Sequence, residues 1–264
     1  MSRKRKYNIH ISRAVIPNFF TILNMFSGFM SILSASNHDF VSASWLIVLA
    51  AIFDSLDGMM ARLTKSSSEF GVELDSLSDL VSFGVAPSFM IYQIGLHSLG
   101  PLGTLASAMV MVFGGLRLAR FNVQLVGFDK SFFKGLPIPS SAIMISSFIL
   151  LFYDRSIGWL SPNAAPFLPV LAVALSLLMV STVRYDTIPK FSKRAIKAHP
   201  LKFTIFTIGV AITIATMGKA LFWLFLLYIV GGLIRWLAEH IKALVSHRKP
   251  EEDEEDVELS SFDI

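Results

Sequence analysis

The stretch FDSLDGMMARLTKSSSEFGVELDSLSD, Phe53 to Asp79, decides how this chain is read. It begins as the continuation of an apolar run, Trp45 through Ile52, and then places Asp54 and Asp57 where a membrane helix should carry no charge. Ionisable groups within a span are expensive and mark functional sites. Asp54 and Asp57 are three positions apart, and Asp75 and Asp79 four, so each pair shares one helix face. Between them, Thr64 to Glu69 has the composition of a turn, which predicts two acidic helices folded into a hairpin with converging faces. At 1.5 Å per residue, Asp54 lies ~12 Å in from the interfacial Arg62.

Four clustered carboxylates repel one another unless protonated or neutralised by cations. Oxygen donors select hard ions, so the expected cofactor is Mg²⁺ or Mn²⁺, held by Asp54, Asp57, Asp75 and Asp79. Two such ions clamp a phosphate in many transfer enzymes. Gly58 and Ala61 leave room for a ligand against the backbone, and Arg62 offers a planar donor fork to phosphate oxygens.

Outward from this segment, the chain reads as an all-α polytopic membrane protein. It has 264 residues, 53% of them hydrophobic, and a mean hydropathy of +0.62. Eight apolar runs are long enough to be spans: about 16–36, 40–62, 78–97, 101–122, 137–153, 165–184, 203–218 and 220–242. With both termini on the cytoplasmic side, 21 of the 23 Lys and Arg fall in cytoplasmic segments, and Arg155 and Lys219 fall outside. Residues 1–15 form a basic segment suited to a helix lying on an anionic membrane surface, or to a purely topogenic tail. Residues 16–245 make a single transmembrane domain, and 250–264 an acidic tail too polar to pack. There is no cysteine, which excludes thiolate chemistry, and no two of the six scattered histidines have metal-ligand spacing, which argues against a histidine zinc site.

The spacing D-x2-D-G-x2-A-R-x8-G-x3-D-x3-D is the signature of the CDP-alcohol phosphatidyltransferases. This chain resembles that family at every fixed position: Asp54, Asp57, Gly58, Ala61, Arg62, Gly71, Asp75 and Asp79. Val81–Pro87 (VSFGVAP), Leu116–Asn122 (LRLARFN) and Gly135–Pro139 (GLPIP) are similar to the phosphatidylserine synthase branch. Ile16–Thr21 (IPNFFT) looks like that family's first helix.

The resemblance implies transfer of the phosphatidyl group of CDP-diacylglycerol to the hydroxyl of L-serine, with release of CMP. It implies that Asp54, Asp57, Asp75 and Asp79 bind divalent metal, and that Asp79 also acts as general base. By the same carry-over, Asn18, Thr21, Gly58, Ala61, Arg62 and Ser68 bind CDP-diacylglycerol. It further implies a homodimer in the membrane, a cytoplasm-facing site, and no nucleic-acid partner. Free serine presents a carboxylate, for which Arg117 and Arg120 are the candidate cations; the same pair also fits simple snorkelling to the interface. Two other readings stand beside this one. The first is another acceptor within the family, glycerol 3-phosphate or an inositol phosphate. The second is a cation transporter with an acidic mid-membrane site.

Overall fold

A computed structural model describes residues 15–64, 66, 68–126, 135–183, 185 and 200–246. The basic segment expected at 1–15, all but its last residue, and the acidic tail expected at 250–264 lie outside these residues.

The described chain is almost entirely helical: α1 (Val15–Ser36), α2 (Phe40–Thr64), α3 (Glu69–Asp79), a π-helical turn (Leu80–Val85), α4 (Ala86–Ile94), a 3₁₀ turn (Leu96–Leu99), α5 (Pro101–Val126), α6 (Ile138–Phe152), α7 (Phe167–Val180), α8 (Pro200–Ala215) and α9 (Lys219–Ser246). An antiparallel two-residue pair, Tyr153–Asp154 with Trp159–Leu160, links α6 to α7. The eight expected spans correspond in order to these elements, with α3, the π turn and α4 forming one. Five are long and apolar enough to cross a membrane: Val15–Ser36, Phe40–Thr64, Glu69–Ile94, Pro101–Val123 and Lys219–Lys242.

Helices α6 and α7 are shorter, at 15 and 14 residues, or ~22 Å of rise. In α6 every residue from Ser140 to Leu150 except Ile143 is buried. It packs against α2, α7 and α9, so its length answers to its neighbours more than to lipid thickness.

The third span differs from expectation. It begins at Glu69 rather than near residue 78, because Ser68 caps it: the hydroxyl accepts a hydrogen bond from the Gly71 N–H at 3.0 Å. Its first half meets α1 at Gly71, while Glu69 and Glu73 stay exposed. At the π turn the Ala86 N–H bonds to the Val81 carbonyl, five residues back, and Pro87 follows immediately. A wide turn placed there absorbs the irregularity that a proline introduces.

The contact between α1 and the third span organises the bundle. Residues Pro17, Thr21, Asn24, Gly28, Ser31 and Ala35 form a buried stripe at three- and four-residue spacing. Small residues in such a stripe let membrane helices approach closely. Ser78 donates to the Thr21 carbonyl at 3.0 Å, and Ser82 to the Asn24 carbonyl at 2.8 Å. A methyl group on Gly28 would meet the Ser82 hydroxyl and come within 2.7 Å of the Ser82 Cα. Helix α1 also holds α2, where Ser31 donates to the Ala43 carbonyl at 2.9 Å.

Gly28→Ala is therefore expected to overpack the bundle, a cost of about 1–3 kcal/mol, and to lower the heat-denaturation midpoint in detergent by roughly 2–10 °C. Gly231→Ala is the control, since nothing lies within 4 Å of its added methyl. It should leave the midpoint unchanged or raise it. Equal shifts for the two variants would refute the close-approach account.

Candidate active site

Asp54 and Asp57 project from the last turns of α2, and Asp75 from the middle of α3. One carboxylate oxygen from each of the three acids lies within 4.8 Å of the others. Asp57 Oδ2 and Asp75 Oδ1 are buried and have no hydrogen-bond partner among the described residues. Three carboxylates so placed, with orphaned oxygens, cannot all carry charge without a counter-ion. The all-oxygen donor set fits a hard divalent cation.

Asp79 stands apart from this trio. It is one helical turn beyond Asp75, ~6 Å by the helix rise, and is 8% exposed. Its Oδ1 accepts a hydrogen bond from the Asn24 amide at 3.2 Å. It lies within electrostatic range of the three other acids and of the Arg117 guanidinium. The four acids thus divide into an open group of three and a fourth held by an amide from α1.

A cavity of about 120 Å³ opens beside the trio. Asn18 and Thr21 of α1, Gly58 and Ala61 of α2, and Ser68 at the start of α3 all line it, together with Asp57 and Asp75. Five of the six residues expected to contact a CDP-lipid therefore border one space. The sixth, Arg62, is exposed, with Nη1 3.8 Å from where a Gly58 side chain would begin. Gly71 also lines the cavity. A Cβ there would stand 3.1 Å from the Ser68 hydroxyl and 3.3 Å from Asn18 Oδ1, so glycine keeps α1 and the capped start of α3 together.

The two arginines of α5 have different surroundings. Arg120 Nη1 donates to the Val180 carbonyl at the end of α7, at 3.3 Å. Arg117 Nε is buried and unpartnered among the described residues. Nearby, Asn122 Nδ2 donates to the Ser76 hydroxyl at 2.9 Å, tying α5 to the acidic helix.

Asn24, Ser76, Ser78 and Ser82 were not singled out from the sequence. The available signal was Asn24, three positions after Thr21 on the stripe of polar and small residues of α1. Ser76 and Ser78 stand on the acidic helix beside its two aspartates and carry no signal of their own, while Ser82 lies in the π turn, inside the VSFGVAP segment.

Comparison with known proteins places these features in context. The CDP-alcohol phosphatidyltransferase family profile matches residues 14–178. A Helicobacter pylori protein named CDP-diacylglycerol–serine O-phosphatidyltransferase is 38% identical over 235 residues, 89% of this chain and 96% of the relative. One of the same name from Methanocaldococcus jannaschii is 35% identical over 224 residues, 84% of this chain and 94% of the relative. An archaetidylserine synthase from Methanothermobacter thermautotrophicus is 40% identical over 175 residues, 66% of this chain and 70% of the relative. With a profile that spans most of the bundle and relatives that match nearly end to end, the chain belongs to the CDP-alcohol phosphatidyltransferase family.

Proposed function

We propose that this integral membrane protein transfers the phosphatidyl group of CDP-diacylglycerol to the hydroxyl of L-serine, releasing CMP. The observation that carries the reading is the three-carboxylate group beside a cavity lined by Asn18, Thr21, Gly58, Ala61 and Ser68, with a fourth carboxylate one turn away. The names of the Helicobacter and Methanocaldococcus relatives support serine as acceptor.

In this reading Asp54, Asp57 and Asp75 hold Mg²⁺ or Mn²⁺, and Asp79 completes the ligand set. When bound, the metal supplies positive charge against the diphosphate and the departing CMP. The chain's own groups do the rest. Gly58 and Ala61 let the cytidine diphosphate approach the α2 backbone, and Arg62, Asn18, Thr21 and Ser68 orient it by hydrogen bonds. Asp79, steadied by Asn24, accepts the proton of the serine hydroxyl as that oxygen attacks the lipid-side phosphorus and the bond to CMP breaks. Arg117 and Arg120 attract the serine carboxylate. Charge placement favours a site open to the cytoplasm, and the family resemblance favours a homodimer.

The test is CMP release by full-length protein in detergent, with CDP-diacylglycerol, Mg²⁺ or Mn²⁺, and serine, glycerol 3-phosphate or inositol phosphate in parallel. Serine alone should support release. Asp79→Asn should lower it by about 10²–10⁴-fold, the usual contribution of a general base, and chelation should abolish it reversibly. Release with another acceptor instead would reject serine.

A second expectation follows from Asn24. Asn24→Leu removes the amide that Asp79 accepts from, so kcat should fall about tenfold or more, the worth of one hydrogen bond to a charged group. The KM for CDP-diacylglycerol should stay within about twofold. An unchanged kcat would show that Asn24 only packs.

A further inference from the structure

The acidic helix α3 is hooked on both flanks of its carboxylates. At about 100° per residue, Ser78 lies about 60° to one side of Asp75 and Ser76 about 100° to the other, with Asp79 about 40° round, between them. Asp75 and Asp79 therefore project from a strip bounded by two hydroxyls. Ser78 fixes one edge by donating to the Thr21 carbonyl of α1. Ser76 fixes the other through α5: its hydroxyl accepts from Asn122 Nδ2 at 2.9 Å and stands 3.3 Å from Asn122 Oδ1.

This bridge to α5 is the last of a row. A Cβ on Gly84 would stand 3.7 Å from the Met111 Cα, and the Leu80 side chain comes within 3.5 Å of where a Gly115 Cβ would sit. Residues 84, 80 and 76 step along one span while 111, 115 and 122 step the opposite way along α5. The first two contacts are apolar and close to the backbone. The third is polar, is made by side chains alone, and falls beside Asp75. An apolar contact tolerates a rolling helix, whereas a hydrogen bond weakens steeply when its donor and acceptor lose alignment.

Direction is what Asp75 needs. Among the described residues the α3 backbone packs closely on α1 and hardly approaches α2 or α5. Yet one Asp75 oxygen lies within 4.8 Å of oxygens from Asp54 and Asp57 on α2. With side chains a helix is ~10 Å across, so a roll of about 20° carries a carboxylate oxygen ~2 Å. Metal–ligand distances tolerate about 0.2 Å. The Ser76 hydroxyl does not need Asn122 for its own satisfaction, since it also reaches the Val72 carbonyl at 3.1 Å. What the Asn122 bridge adds is resistance to roll.

We propose that Asn122 is a positioning residue for the carboxylate group: by holding Ser76 it fixes the rotation of α3 and so aims Asp75 at Asp54 and Asp57. This rests on the divalent-metal reading above. It gives a task to the last residue of the LRLARFN segment, which touches neither the cavity nor the acids in any contact described above.

The experiment titrates Mn²⁺ alone into full-length wild type, Asn122→Leu, Ser76→Ala and the double variant in detergent, well below their heat-denaturation midpoints. Free Mn²⁺ is followed by its electron paramagnetic resonance signal, and any uptake that Asp75→Asn also shows is subtracted. Asn122→Leu should raise the Mn²⁺ Kd about threefold or more, the worth of one hydrogen bond between neutral groups. The double variant should bind no more weakly than Asn122→Leu, because both substitutions break the same link. A smaller rise overturns the proposal, even in a variant that melts earlier, and so does a double variant whose loss is the product of the two single losses. A wild type that takes up no Mn²⁺ overturns the metal reading and this inference with it. A wild type that binds Mn²⁺ no more tightly than Asn122→Leu overturns this inference alone.

Discussion

Two serine hydroxyls donating across a helix interface set the geometry on which the rest depends. In a membrane helix a serine normally satisfies itself on the carbonyl a turn back, as Ser27 and Ser44 do here. Ser78 and Ser82 instead reach the Thr21 and Asn24 carbonyls of α1. That is feasible only where the two backbones nearly touch, which Gly28 permits. Once α1 is held there, its Pro17–Thr21 edge becomes a wall of the cavity and Asn24 delivers an amide to Asp79. The site is thus as much a product of packing between α1 and α3 as of the acidic residues themselves.

The acids are tolerated because their surroundings differ. Asp54, Asp57 and Asp75 face one another beside an opening, with an oxygen of Asp57 and one of Asp75 that nothing in the described chain satisfies. Such an arrangement is costly empty and favourable around a cation. Asp79 is set deeper, with an amide donor and a guanidinium in range. Residues identical in type are in this way separated into a group suited to binding charge and a single member suited to handling a proton.

Much of this was legible in the sequence. Helical periodicity predicted which acids share a face, and hydropathy predicted the order of the helical segments. What was not legible is whatever depends on a partner across an interface. The hydropathy bound of the third span falls about nine residues late, because Glu69, Glu73 and Asp75 hide the apolar signal of a helix that the acid spacing already implies. Asn24 was passed over because nothing in the chain says that it meets a residue 55 positions away. Arg117 and Arg120 read as an equivalent pair at i and i+3. In the bundle one is bonded to the end of α7 and the other keeps a buried donor unpartnered among the described residues.

The π turn at Leu80–Val85 bears on how such a helix tolerates change. One extra residue within a turn rotates everything downstream by about 100° relative to an unbroken α-helix. The acid-bearing half and the half whose Ser88 hydroxyl bonds the Ser107 carbonyl on α5, at 2.6 Å, therefore differ in phase and not only in sequence. Losing a single residue from this turn would leave every catalytic side chain present and the acidic face undisturbed, yet would swing Ser88 and its neighbours off α5. The span behaves as two cams on one shaft, timed by a single residue: the inner one holds chemistry and the outer one anchors it.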